Sequence, residues 1–170
     1  MWVKNYMFKS VCTIAPNTTI ADAVKFMVEN KTNSLIVVDE EKKPIGTLSS
    51  YTLVRKVVPA YLKDDPLFSQ FGKEGTLDKY AQKMKEKTVE DLMHKDFHAL
   101  SEEDAMIEAA SYSIQADRRI LPVVNSDGKL IGAITRTCIK NALHNAIYKN
   151  EPIESVNGGC DCGDEGCKHI

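Results

Sequence analysis

Cys160, Cys162, Cys167 and His169 place four soft or borderline ligands within a ten-residue stretch at the C-terminal end of the chain. Thiolate and imidazole donors in fours suit tetrahedral zinc, and also copper(I) or iron. Cys-x-Cys is a rarer zinc spacing than Cys-x-x-Cys, and no patterned element surrounds these residues to orient them. Two alternatives stay open beside metal binding: thiol redox sensing, and a mobile tail whose thiols do nothing specific. Cys12 and Cys138 lie inside apolar patterned segments, where cysteine behaves as a small hydrophobe.

No catalytic constellation stands out in the rest of the sequence. Gly72-Lys73-Glu74-Gly75 lacks the Gly-x4-Gly-Lys-[Ser/Thr] frame of a phosphate loop. There is no His-Glu-x-x-His, no calcium loop and no nucleophile elbow. His94 and His98 occupy the places that Phe8 and Cys12 hold in an earlier, similar stretch, which favours packing or surface roles. His144 is expected on a solvent-facing helix side. Asp39-Glu40-Glu41 reads as a solvated turn. The chain is expected to bind rather than to catalyse.

The elements that position these residues come twice. Val3–Val57 and Val89–Leu143 align without a gap at an offset of 86. Val3 corresponds to Val89, Met7 to Met93, Ala23 to Ala109 and Ile45-Gly46 to Ile131-Gly132. Both copies close on Gly-x-x-[Ser/Thr], at Gly46–Ser49 and Gly132–Thr135. Tandem copies of this kind usually form one pseudo-symmetric module with clefts where they meet.

Within each copy the pattern is strand, helix, strand, strand, helix. Thr19-x-x-Asp22 has the form of a capping box. Ile20, Ala23, Val24, Met27 and Val28 then recur at helical spacing, as do Met106, Ala109, Ala110, Ser113 and Ile114, with Ser101 as the expected cap of the second helix. Leu35–Val38 and Ile45–Leu48, and later Leu121–Val124 and Leu130–Ile134, read as hairpins, the second turning on Asp127-Gly128. Ile139, Ala142, Leu143, Ala146 and Ile147 form the stripe of a closing helix. The expected division is repeat 1 over 1–57, an inter-repeat helical segment over 58–88, repeat 2 over 89–149, and an acidic, Cys-rich, mobile tail over 150–170.

Composition agrees with a soluble globular protein. Of 170 residues, 43% are hydrophobic and 27% charged, and no window of 18 apolar residues offers a membrane span. The N-terminus lacks a signal-peptide pattern, so the expected location is cytoplasmic. The formal charge is −2, and residues 151–170 hold five acids against one lysine. The sequence pI near 6.1 argues against a nucleic-acid partner.

The repeated unit, its length and the ending hydrophobic-Gly-x-x-[Ser/Thr] resemble the CBS domain. Leu121-Pro122-Val123-Val124 and Ile131-Gly132-Ala133-Ile134-Thr135-Arg136-Thr137 carry the resemblance most specifically. Two such units in tandem resemble a Bateman module, an α/β fold of two β-α-β-β-α repeats packed about a pseudo-two-fold. The resemblance implies a regulatory module binding AMP, ADP, ATP or S-adenosylmethionine in inter-repeat clefts. It also implies a homodimer and a protein partner that responds to the ligand.

Carried over residue by residue, the resemblance places the hydroxyls of Ser49 and Thr135 at phosphate. Backbone at Thr13 and Ala99, and along the strands at Leu35 and Leu121, would clasp adenine. Arg118 and Arg119, with Arg136, would supply positive charge to phosphates, where the first copy has Thr32, Asn33 and Ser50. The family pattern ends in an aspartate that accepts from the ribose hydroxyls. Here Thr52 and Cys138 stand at that place. Hydrogen bonds to a charged group contribute about 1.5–3 kcal/mol, so the departure implies binding weakened by about ten- to a hundredfold.

Overall fold

The structure is a computed structural model and describes residues 1–58, 74–115 and 119–148. The expected strand–helix–strand–strand–helix order is present twice. The first copy contains β1 (Thr13–Ile14), α1 (Ile20–Glu29), β2 (Ser34–Val38), β3 (Pro44–Ser49) and α2 (Ser50–Val57). The second contains β4 (Leu100–Ser101), α5 (Met106–Ile114), β5 (Ile120–Val124), β6 (Leu130–Thr135) and α6 (Arg136–Tyr148). Between them run α3 (Thr76–Met84) and the short α4 (Val89–Leu92). The early inter-repeat residues 59–73 and the expected tail lie outside the described residues.

Each sheet has three strands, in the orders β1-β2-β3 and β4-β5-β6. The outer two-residue strand runs parallel to the middle one, and the hairpin partner runs antiparallel. Both hairpin turns are held by one side chain. Asp39 Oδ1 accepts from the Glu41 and Lys43 amides at 2.9 and 2.8 Å, and Asn125 Oδ1 accepts from those of Asp127 and Lys129 at 3.0 Å. This is the local side-chain mimicry of a turn that Asp and Asn make readily. Gly128 takes the left-handed conformation (φ 76°) that its counterpart Lys42 adopts at φ 63°.

Helix starts follow the sequence in part. Thr19 caps α1, its oxygen accepting from the Asp22 amide at 3.1 Å. Ser101 does not cap α5. The N-cap is Ala105, without a side-chain bond, because Ser101 belongs to β4 and its amide donates to Asp104 Oδ2 at 2.7 Å in the turn ahead of the helix.

The buried faces also differ from the expected stripes. α1 buries Ile20, Ala23, Phe26 and Met27, while Val24 and Val28 are 41% and 71% exposed. Ile114, Leu143 and Ile147 are likewise exposed. A single three-stranded sheet covers only part of each helix, so the remaining apolar side chains stand outside the core. His144 is not solvent-facing as expected: it is half-buried, with its ring 4.6 Å from that of Tyr148.

The two copies exchange their leading segments. Phe8 and Ala133 bond through both backbone groups (3.1 and 3.0 Å), and so do His94 and Thr47 (2.8 and 3.0 Å). Val3 donates to the Asp104 carbonyl and Val89 to that of Thr18; Met106 donates to Met1 and Ile20 to Lys87. Every one of these contacts maps onto its partner at the offset of 86. Val3, with Tyr6, Met7 and Phe8, therefore packs into the core of the second copy around Leu100, Leu121, Val123 and Ile134. Val89, Leu92 and Met93 pack into that of the first, around Ile14, Leu35, Val37 and Leu48. A third cluster, Val11, Ile36, Ile120 and Ala133, joins the copies face to face.

Candidate cleft between the repeats

In each copy the residues expected to meet a ligand gather at one end of the sheet. Ser49, the last residue of β3, pairs with Ser34, next to Asn33, and Thr13 lies beside Ile36. The Ser50 amide donates to the Asn33 carbonyl at 2.9 Å. In the second copy, Thr135 pairs with Ile120, which brings Arg119 and Arg136 to the corresponding end. Leu35 and Leu121 are fully buried, so only their backbone can face a ligand, whereas Asn33, Arg119 and Arg136 are exposed. Ala99 directly precedes β4 and is half-buried. Arg118 lies outside the described residues, as do Cys160, Cys162, Cys167 and His169.

Ser49 works first as a helix cap. Ser49 Oγ accepts from the Thr52 amide at 3.1 Å and lies 3.0 Å from the Thr52 hydroxyl. The Thr135 hydroxyl lies 3.5 Å from Cys138 Sγ, which also accepts from the Thr135 amide at 3.4 Å. Thr52 and Cys138 are both buried. Their polar atoms turn back into the first helical turn, where Ser49 and Thr135 satisfy them. The Ser49 proton can be redirected to an incoming anion, since either oxygen of the Ser49–Thr52 pair can donate. The amides at the start of α2 and α6 add positive potential there.

One contact crosses between the copies at this end. The Arg119 guanidinium carbon sits 5.1 Å from the centre of the Tyr51 ring, within cation–π range. Charge from the second copy thus stands over the first turn of α2 in the first copy, two residues from Ser49. Sequence reasoning singled out Arg119 and missed Tyr51. The only local sign was an aromatic residue on the exposed first turn of a capped helix, and nothing in the sequence says what that ring faces.

Pro122 breaks the symmetry of the backbone nearby. In the first copy the Ile36 amide donates to the Cys12 carbonyl at 3.1 Å. Pro122, at the matching position of β5, has no N–H to give to His98. The His98 ring instead stacks on Tyr112, with centroids 3.7 Å apart. An apolar groove of about 720 Å³ opens between α1, α2 and α3, lined by Val24, Val28, Leu53, Val54 and Leu77, and meets the cleft at Thr32, Asn33 and Ser50. Its walls are mainly apolar, with Lys31 and Lys85 among the polar residues that line it. Among the described residues no group of three or more His, Cys, Asp or Glu could hold a metal ion, and no helix is long and apolar enough to cross a membrane.

Comparison with known proteins agrees with this architecture. Residues 3–59 and 89–145 each match the CBS domain model. The CBS domain-containing protein CBSX1, chloroplastic, of Arabidopsis thaliana is 32% identical over 129 residues, covering 72% of this chain and 55% of that protein. The chain thus spans about half the length of the curated relatives it matches first. The crystal structure of the CBS-pair protein CBSX2 from Arabidopsis thaliana superposes with a TM-score of 0.71 at 28% identity, over 88% of this chain and 97% of that one. CBSX2 has also been crystallised in complex with AMP, and that structure matches with a TM-score of 0.64 at 27% identity, over 86% and 98% of the two chains.

Proposed function

The chain belongs to the CBS-domain family as a tandem pair, and from that premise we propose that it is a regulatory module, not an enzyme, that senses an adenine nucleotide or another adenosyl compound such as S-adenosylmethionine. The observation that carries this reading is the placement of Arg119 from one copy over the capped start of α2 in the other. Cation, hydroxyl and helix-start amides then converge where a phosphate would sit. The AMP complex of CBSX2 supports the same ligand class.

In this reading Ser49 and Thr135 turn their hydroxyls to phosphate, and Arg119 and Arg136, joined by Arg118 and Asn33, supply charge and polar contacts. Thr52 and Cys138 stand in for the ribose-binding carboxylate, and backbone at Thr13, Leu35, Ala99 and Leu121 holds the adenine. Ligand seated between copies that share exchanged segments would bias their relative placement. A protein partner that binds one placement better than the other would then read the ligand state. The exposed Ile107, Ile114, Leu143 and Ile147 suit a homodimer contact. The composition suits a soluble compartment such as the cytosol.

Titration calorimetry with AMP, ADP, ATP, S-adenosylmethionine and adenosine tests the proposal. Saturable binding of at least one adenosyl compound, weakened by Arg119→Ala for the phosphorylated ones, is the expected result. No heat with any of them would overturn it.

A further inference from the structure

We propose that the groove between α1, α2 and α3 is a further ligand site that takes an aliphatic monocarboxylic acid, with its chain along α1 and its carboxylate at Lys31. The groove has about 720 Å³, within the range of small-molecule pockets, which enclose a mainly apolar ligand body and fix it with a few polar groups. Its floor is formed by buried Ile20, Met27, Leu53 and Met84. Val24, Val28, Val54 and Leu77 line it above and stay exposed, the last two by 59% and 67%. Apolar side chains left in water around one concavity favour an apolar occupant. The described lining holds no aromatic ring, so a base or other flat ligand finds no stacking platform there, whereas an aliphatic chain needs none.

Charge selects the head group, and α1 gives it a direction. Lys31 and Lys85 are the charged residues of the described lining, and Asp and Glu are absent from it. Lys31 lies just past the C-terminal end of α1, next to Thr32 and Asn33, where the groove meets the cleft. It is exposed and makes no ion pair among the described residues. Lys85 stands at the other end, its carbonyl accepting from the Ala21 amide at 3.2 Å. The ten residues of α1 separate the two ends by about 15 Å, more than the screening length of about 8 Å in physiological salt. One carboxylate therefore answers to one lysine. Asn33 and Ser50 add polar side chains at the Lys31 end, which places the head group there and runs the chain towards Lys85. The site stands whether or not the neighbouring cleft holds a nucleotide.

Backbone-amide NMR of the unaltered protein, titrated with hexanoate, octanoate and decanoate below their micelle concentrations, tests the proposal. Saturable shifts should concentrate on Val24–Val28, Ser50–Val54 and Leu77, and affinity should rise about two- to fourfold per added CH₂. Lys31→Ala should weaken octanoate about two- to fivefold and leave octanol, which has no charge, unchanged. Val54→Glu, on the exposed wall, should abolish octanoate binding while the rest of the spectrum shows an intact fold. Shifts confined to other exposed apolar faces, such as that around Ile107 and Leu143, would overturn the proposal. So would an affinity independent of chain length, or a charge-specific loss carried by Lys85→Ala instead of Lys31→Ala. No response at the groove, as when a second copy of the chain covers it, would overturn it as well.

Discussion

The carbonyl oxygen of Phe8 stands 2.9 Å from where a Cβ on Gly132 would be. That oxygen also accepts from the Ala133 amide at 3.0 Å, so it cannot retreat without loosening the bridge between the copies. The mirror position, Gly46, faces Met93, whose Sδ would lie 2.6 Å from an added Cβ. The glycine of the repeated Gly-x-x-[Ser/Thr] ending is thus needed for the close approach of the other copy's leading segment.

Gly132→Ala should accordingly destabilise the protein by about 1–3 kcal/mol, the usual cost of forcing extra volume against fixed neighbours. Gly46→Ala should cost less, because the nearest atoms there belong to a methionine side chain that can turn aside. Urea unfolding of the two variants measures the difference. An unaltered midpoint for Gly132→Ala would contradict the close approach.

The exchange of leading segments makes a second prediction. Val3 and Val89 are both fully buried, but each lies in the core of the opposite copy. Val3→Ala should cost about 2 kcal/mol from lost burial and the cavity left behind. The amides whose hydrogen exchange speeds up should be those of β5, β6 and α5. Val89→Ala should do the same to β2, β3 and α1. Loss of protection in the copy that is local in sequence would refute the exchange.

Ligand binding should be weak. With Thr52 and Cys138 in place of a carboxylate, AMP affinity is expected in the tens of micromolar or poorer, following the loss of one charged hydrogen bond. Cys138→Asp should tighten it about tenfold. The carboxylate would also take over the Thr135 amide that Cys138 Sγ now accepts from at 3.4 Å, so the helix start should tolerate the change. Submicromolar AMP binding to the unaltered protein would contradict the expectation.

The start of α4 should respond to acid. Asp91 accepts from both the amide and the hydroxyl of Thr88 at 3.0 Å, and the backbone bond first, then the hydroxyl, holds its carboxyl below the usual carboxylate range. A lowered folded pKa means that this stabilisation is complete above the unfolded value, about 3.9, and is lost as pH falls through the folded one. Hydrogen exchange at the Thr88 amide, corrected for its intrinsic pH dependence, should therefore lose protection at the acid end. Asp91→Asn should flatten that dependence, and an unchanged profile in the variant would remove Asp91 as its source.

Several features were fixed by local chemistry and could be read from the chain alone. Both hairpins and the Thr19 cap depend on neighbours within a few residues: short apolar runs, an Asp or Asn at the turn, a hydroxyl ahead of an apolar helix; the repeat shows in the gapless offset of 86. The misread elements share one cause. Ser101 has the pattern of a cap because its own turn with Asp104 imitates one, and only the strand it joins shows that the helix begins later. Val24 and Val28 carry the right spacing for a core face, yet burial fell to Phe26, because which side of an apolar stripe meets a sheet is set by packing. The exchange of leading segments could not be seen at all. Two copies with the same apolar pattern offer similar docking sites, so local pattern fits Val3 to either core, and only the geometry of the assembled pair selects the distant one. For the same reason the sequence marked Arg119 as a charge near a cleft, while the tertiary structure alone decided that Tyr51 of the other copy receives it.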